Sequence, residues 1–241
     1  MNDLTVKVFA DGADLKQMIE LSSNPWVKGF TTNPTLMRRA GVSDYGKFAR
    51  EVLSHIGDRP VSFEVFADDL PTMAAQARVI ATWGSNVNVK IPVTNTKGEF
   101  LGPVIQELSF AGVVVNVTAI MTVDQVRAVA ECLSPDTAAL VSVFAGRIAD
   151  TGIDPVPVMR DCVGILKSRP KAELIWASPR EVLNVVQASE IGCHIITVTP
   201  DILGKLKILD KDLDQFSLET VEMFYRDATA AGYTIDLPEM A

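Results

Sequence analysis

Lys90 stands inside VNVKIP, a run that is otherwise almost wholly apolar, and two carboxylates end comparable runs: Asp11 after VKVFA and Glu64 within SFEVF. Lysines are seldom buried, and burial penalises the ammonium form, leaving a neutral amine that can act as a nucleophile. An amine that attacks a carbonyl needs proton transfers to form and dehydrate the carbinolamine, and nearby carboxylates supply them. Lys, Asp and Glu in such settings point to Schiff-base chemistry as a class. The structural alternative is a lysine snorkelling from an edge strand; a central parallel strand with two inward carboxylates favours the reactive reading.

Further polar residues interrupt apolar runs near their C-terminal ends. Thr31, Thr32 and Asn33 close one run, Asn116 and Thr118 lie in VVNVT, Ser142 in LVSVF, Ser178 in IWAS, and Thr197 and Thr199 in ITVTP. A single Thr or Asn on a strand is ordinarily just hydrogen-bonded; the repetition at corresponding positions is what suggests a site. Two arginines follow such runs, Arg147 in VFAGRIAD and Arg180 in ASPRE. Each guanidinium could hold a phosphate bidentately, with Ser178 adding a hydroxyl near a helix start. A salt-bridged loop arginine, a solvated helix arginine and a plain N-cap serine are the plainer readings of Arg147, Arg180 and Ser178.

Only two histidines occur, His55 and His194, which argues against a His-based metal site or a Ser-His triad. The three cysteines, Cys132, Cys162 and Cys193, form no CxxC pair. They read as small core residues in a reducing compartment. No metal and no cofactor is expected.

These side chains need elements to hold them. Short β-branched stretches predict strands over Thr5–Ala10, Val27–Thr31, Val61–Phe66, Val87–Ile91, Val113–Val117, Ala139–Val143, Glu173–Ala177 and Ile195–Val198. Helical periodicity falls between them, over Asp14–Leu21, Ser43–His55, Leu70–Trp83, Val123–Leu133, Val156–Lys167 and Pro179–Ser189, with a last amphipathic helix over Ser217–Ala231. Alternating strands and helices imply βαβ units around a parallel sheet. About eight units in 241 residues is the count for a single α/β domain of the (β/α)8 TIM-barrel type with an additional C-terminal helix. A doubly wound open sheet is the alternative, weakened by the lack of GxGxxG or GxxxxGK[ST] after the first strand. Side chains alternate along a strand, so Asn88 and Lys90 share one face, as do Asn116 and Thr118. The opposite, apolar face should meet the helices and leave the polar set pointing at the barrel axis, where strand ends carry the chemistry.

With 48% hydrophobic residues the chain can build a large core, and no apolar run reaches the ~18 residues of a membrane span. The opening MNDLTVKVFADGAD lacks the pattern of a secretory leader. A net charge of −8 gives no global attraction for nucleic acid or anionic membranes. A cytoplasmic enzyme acting on small molecules is expected.

The segments VFADGAD, GFTTNPTLM, SFEVFADD, NVKIPVT, VNVTAIMT, SVFAGRIAD and WAS, in that order between about Val8 and Thr199, resemble the transaldolase family, including its short members and the related fructose-6-phosphate aldolases. The resemblance implies a cofactor-free Schiff-base aldolase acting on sugar phosphates. Lys90 would form the imine, and Asp11 would be the acid/base on the hydroxyl whose deprotonation cleaves the carbon–carbon bond. Glu64 and Thr118 would position a water. Thr32, Asn33 and Asn116 would hold the dihydroxyacetone unit and Ser142 the substrate hydroxyls. Arg147, with Ser178 and Arg180, would receive the terminal phosphate. Phe144 and Glu64 match the transferase branch, whereas the hydrolytic aldolases of the family resemble one another in having Tyr and Gln there. ASPREVLN and the extra Ala in GRIAD depart from the usual pattern, so a sulfonate in place of phosphate stays open. So do an aldolase-type lyase and a non-catalytic sugar-phosphate-binding barrel. Short relatives assemble into rings, which implies a homo-oligomer.

Overall fold

The structure, a computed structural model, describes residues 4–237. Eight parallel strands, β1 (Lys7–Asp11), β2 (Val27–Thr31), β3 (Val61–Glu64), β4 (Val87–Pro92), β5 (Val115–Ile120), β6 (Ala139–Val143), β7 (Ala172–Trp176) and β8 (Ile195–Val198), pair in sequence order and close through β1 and β8 into a barrel. The intervening helices are α1 (Leu15–Ser22), α2 (Pro34–Arg39), α3 (Tyr45–His55), α4 (Leu70–Ala81), α5 (Gly102–Phe110) and α6 (Val123–Cys132). They continue with α7 (Ala145–Asp150), α8 (Pro155–Leu166), α9 (Leu183–Glu190) and α10 (Pro200–Lys205). The open-sheet alternative is thereby excluded.

Helix starts follow from local chemistry. Asp14, Asn33, Asp44, Asp69 and Asp154 each accept a first-turn backbone N–H, and Thr122 forms a reciprocal capping box with Gln125. Such caps satisfy donors that have no partner within the helix. Proline occupies the first turn of α2, α4, α5 and α8, where no N–H is needed.

The barrel interior is read from contacts between strands that are not neighbours. Phe9 of β1 packs with Leu140 of β6, Ile175 of β7, Ala177 just past β7 and Ile195 of β8. On β3 and β5, Asn116 Nδ2 donates to Ser62 Oγ at 3.0 Å across β4. The residues two positions on from these, Asp11, Glu64, Thr118, Ser142 and Thr197, share their inward parity. Gly29 makes room for this arrangement: a Cβ there would lie 2.6 Å from the Phe9 ring.

Several boundaries differ from expectation. β3 ends at Glu64 rather than Phe66, and β5 runs Val115–Ile120 rather than Val113–Val117. The β5–β6 register slips between Val117 and Ile120, where Ala119 has φ of 62°. A bulge of this kind redirects a side chain at a strand end. α9 starts at Leu183, not Pro179, because the Asn184 carboxamide accepts the Arg180 and Glu181 N–H groups and holds the preceding residues in a turn. Ser178 is therefore not its N-cap.

The barrel unit ends at Lys205, and a separate compact unit begins at Leu206. The latter carries α11 (Leu213–Ala231), capped by Asp212 and ended by Gly232 at φ of 69°. It starts four residues earlier than the pattern from Ser217 suggests, since Asp212 accepts the Gln215 N–H. No residue of α11 is buried, and Leu213, Val221, Phe224 and Tyr225 are exposed. Among the described residues no helix is long and apolar enough to cross a membrane.

Candidate active site

Among the described residues Lys90 is the one buried lysine, its side chain 8% exposed. β4 is paired on both sides, by β3 and β5, so the lysine does not snorkel from an edge. Its Nζ lies 3.2 Å from Glu64 Oε2 and donates to the Thr32 carbonyl at 2.8 Å. Glu64 is opposite Lys90 in the β3–β4 register, so the pair is set by strand pairing rather than by long-range coincidence.

Asp11 ends β1 and is held by its neighbours across the mouth. Thr31 Oγ1 donates to Asp11 Oδ1 at 2.8 Å, and Asn33 Nδ2 reaches Asp11 Oδ2 at 3.5 Å. Thr31 and Thr197 hydroxyls are 2.5 Å apart. Since Thr31 spends its proton on Asp11, Thr197 donates to Thr31. Burial holds the Asp11 carboxyl above the ordinary carboxylate range, against the opposing charge of Lys90 and the Thr31 hydrogen bond. Asn33 also caps α2 through Leu36 N–H at 3.0 Å, which fixes its carboxamide while one amide N–H faces Asp11.

On the other side of Lys90, fully buried Asn116 accepts from Ser142 Oγ at 2.7 Å and donates to Ser62. The two hydroxyls hold its carboxamide from both ends. The Thr118 hydroxyl, next to the β5 irregularity, is buried without a hydrogen-bond partner in the protein. A buried hydroxyl in that state is completed by water or by a bound polar group.

A second grouping follows β6 and β7. The Arg147 guanidinium lies 5.4 Å from the centre of the Phe144 ring, a distance at which the ring face attracts a cation. Phe144 in turn packs on the Phe9 cluster. Arg180 forms a two-pronged ion pair with Asp150, through Nε at 2.9 Å and through Nη2. Its Nη1 donates to the carbonyl and hydroxyl of Ser178 at 3.0 and 2.9 Å. Ser178 sits at φ of 60°, and Gly146 packs so closely that a Cβ there would lie 1.6 Å from the Ser178 oxygen. Only glycine permits that approach.

The expected site residues thus fall into several groups. Lys90 meets Glu64 and Thr32, Asp11 meets Asn33, Asn116 meets Ser142, and Phe144, Arg147, Ser178 and Arg180 form the guanidinium grouping, while the Thr118 hydroxyl has no partner in the protein. Thr31, named from sequence only among the polar residues that close β2, holds Asp11, and two contributors were not singled out from sequence: Asp150, which occupies Arg180, and Tyr45, whose hydroxyl meets the Glu64 main chain. Thr31 shares the inward parity of Gly29, a signal that was available. Asp150 and Tyr45 come from helices, where no strand parity marks them.

The profile of the transaldolase/fructose-6-phosphate aldolase family matches residues 8–241. The chain belongs to that family. A protein of Dehalococcoides mccartyi named probable transaldolase is 36% identical over 83% of this chain and 90% of its own length. One of Listeria monocytogenes named probable transaldolase 2 is 33% identical over 88% and 94%. Among solved structures, one from Coccidioides immitis described as a dihydrodipicolinate synthase family protein superposes with a TM-score of 0.61 at 10% identity, covering 97% of this chain and 80% of that one. A phosphonomutase structure from Burkholderia cenocepacia gives 0.57 at 13% identity, covering 92% and 94%. At those identities the likeness is one of fold alone, and it is the fold of this family member's barrel.

Proposed function

We propose that this chain is a transaldolase, moving a dihydroxyacetone unit from a ketose phosphate to an aldose phosphate through an imine on Lys90. The observation that carries the reading is the buried Lys90 amine between the Glu64 carboxylate and the Thr32 carbonyl, with Asp11 close enough for the lysine's charge to act on it.

In this reading the Lys90 ammonium passes a proton to Glu64, the freed amine adds to the ketose carbonyl, and the carbinolamine loses water after a proton reaches its hydroxyl. Glu64 is the group in contact with the nitrogen and relays those protons. The Thr118 hydroxyl, buried without a protein partner, supplies a polar contact for the departing and returning water. The Asp11 carboxylate then takes the proton of the hydroxyl adjacent to the scissile bond. That bond breaks, the aldose leaves, and its electron pair stays as an enamine on Lys90. The enamine attacks the carbonyl carbon of the acceptor, Asp11 returns the proton, and water hydrolyses the imine. Asn33 and Asn116, both pre-oriented, hold the hydroxyls of the three-carbon unit, with Ser142 beside Asn116.

Phe144 offers no phenol to protonate the enamine, which favours transfer over release of free dihydroxyacetone. Arg147 is the better candidate for the terminal anion, because Asp150 already neutralises Arg180. Cytoplasmic action as a homo-oligomer accompanies this reading.

Borohydride reduction with a ketose phosphate should add a three-carbon unit to Lys90, seen by peptide mass spectrometry. Lys90→Ala should lose trapping and at least about 10³-fold in kcat. A Lys90→Ala variant with full activity would refute the mechanism. Release of dihydroxyacetone at the same rate with and without acceptor would identify a lyase instead.

A further inference from the structure

Parallel strands bond through alternate residues, each carbonyl and N–H engaging a fixed partner next door. On the β2–β3 seam, Phe30 N–H donates to the Pro60 carbonyl at 2.8 Å and Thr32 N–H to the Ser62 carbonyl at 3.3 Å. The next rung would send the Glu64 N–H to the Thr32 carbonyl and the residue 34 N–H to the Glu64 carbonyl. Neither bond is made. Residue 34 is proline, which opens α2, and the Glu64 N–H does not reach the Thr32 carbonyl, which accepts from Lys90 Nζ. One phenol replaces the whole rung: Glu64 N–H donates to Tyr45 Oη at 2.7 Å, and Tyr45 Oη donates to the Glu64 carbonyl at 3.1 Å.

Tyr45 is held for this task from both ends. It is the first residue of α3, directly after the Asp44 cap. Its ring packs against Phe63, Phe66 and Trp83, with centroids 6.1, 4.7 and 5.4 Å away. Burial pushes the phenol above its ordinary range, so it keeps the proton that it donates.

We propose that Tyr45 is a positioning residue for imine chemistry: its hydroxyl fixes the main chain of Glu64, and with it the carboxylate that meets the Lys90 amine. Without the hydroxyl, the Glu64 N–H and carbonyl both lose their partner and the end of β3 is freed. The carboxylate beside the nucleophile is then disturbed by a residue that does not touch the lysine nitrogen. The inference deepens the Schiff-base reading and rests on it.

The test compares wild type, Tyr45→Phe and Met159→Ala. Tyr45→Phe keeps the ring in its cluster and removes only the hydroxyl; Met159→Ala opens a cavity under α8, in a buried residue away from the Tyr45 cluster. Rapid-quench borohydride trapping with fructose 6-phosphate measures imine formation, steady-state assays give kcat and KM, and melting temperature reports packing. Tyr45→Phe should slow imine formation roughly tenfold or more, since small misplacements of reacting groups are costly, with kcat reduced and KM for the donor unchanged. Met159→Ala should lower the melting temperature further yet trap at the wild-type rate. Wild-type trapping by Tyr45→Phe overturns the inference alone, as does equal slowing in both variants. Absence of trapping in the wild type overturns the Schiff-base reading and the inference with it. Amide hydrogen exchange on the wild type needs no variant: the Glu64 N–H should be protected, and exchange at an open-loop rate would refute the Tyr45 bond.

Discussion

The two sides of the barrel interior are built differently. On β1, β6 and β8 the inward residue one layer below the mouth is apolar, Phe9, Leu140 and Ile195, and only the residue above it is polar, Asp11, Ser142 and Thr197. On β3, β4 and β5 both layers are polar: Ser62 beneath Glu64, Asn88 beneath Lys90, Asn116 beneath Thr118. The apolar side supplies a packed floor against which Phe144 rests. On the polar side Lys90 is aimed by Glu64 and Thr32, and Asn116 by Ser62 and Ser142, while the Thr118 hydroxyl is left without a protein partner. Such a network is worth having only where orientation matters more than burial, since unpaired polar groups inside a protein are costly. The nucleophile belongs to the side that is aimed.

Substitutions on the two sides should therefore separate activity from stability. The largest effect after loss of Lys90 is expected at Asp11, where chemistry and burial meet. Asp11→Asn should lower kcat about 10²–10⁴-fold, the usual scale for a general acid–base group. Because burial raises the Asp11 pKa, the carboxylate required for bond cleavage appears only above the ordinary carboxylate range. The wild-type acid limb of kcat should lie correspondingly high and vanish in Asp11→Asn; a limb unchanged in the variant would assign it elsewhere.

On the floor, Ile175→Ala should cost about 2–5 kcal/mol of unfolding free energy in denaturant titrations, while the folded fraction keeps its imine-forming rate. A loss of trapping without loss of stability would erase the distinction between the sides. The smallest effect is expected beneath the floor, at His194. Its Nδ1 accepts the Leu174 N–H at 3.0 Å, and burial holds its pKa below the ordinary histidine value, with Lys7 acting the same way and Glu173 opposing. The folded state thus prefers neutral His194. Its contribution is complete above the unfolded pKa of about 6.5 and fades as pH falls through the lowered value. His194→Ala should flatten that slope in pH-dependent melting and cost about 1 kcal/mol at neutral pH.

Much of this arrangement was legible in the sequence. Eight strands and the inward parity of Lys90 and Asn116 follow from short apolar runs with period-two interruptions, because both faces of a parallel strand are covered and a polar residue there must face the axis. Short helices such as α2 and α7 escaped, since six residues are too few to display a helical period. The placement of Ser178 and Arg180 escaped for another reason. Pro179 resembles a helix start, but the turn there is decided by Asn184 and by the Gly146 backbone, which lies over thirty residues away in the chain. Tyr45 was invisible because its role depends on which backbone groups the strand ladder leaves over.

The contact between Gly146 and Ser178 carries a consequence for substrate choice. Arg147 rides on α7 and Arg180 on the segment after β7, and the main chains of the two meet where Gly146 lies against Ala177 and Ser178, so backbone contact sets how far apart the two arginine side chains begin. Adding a single methyl at Gly146 should alter chain-length preference among donors before it abolishes turnover.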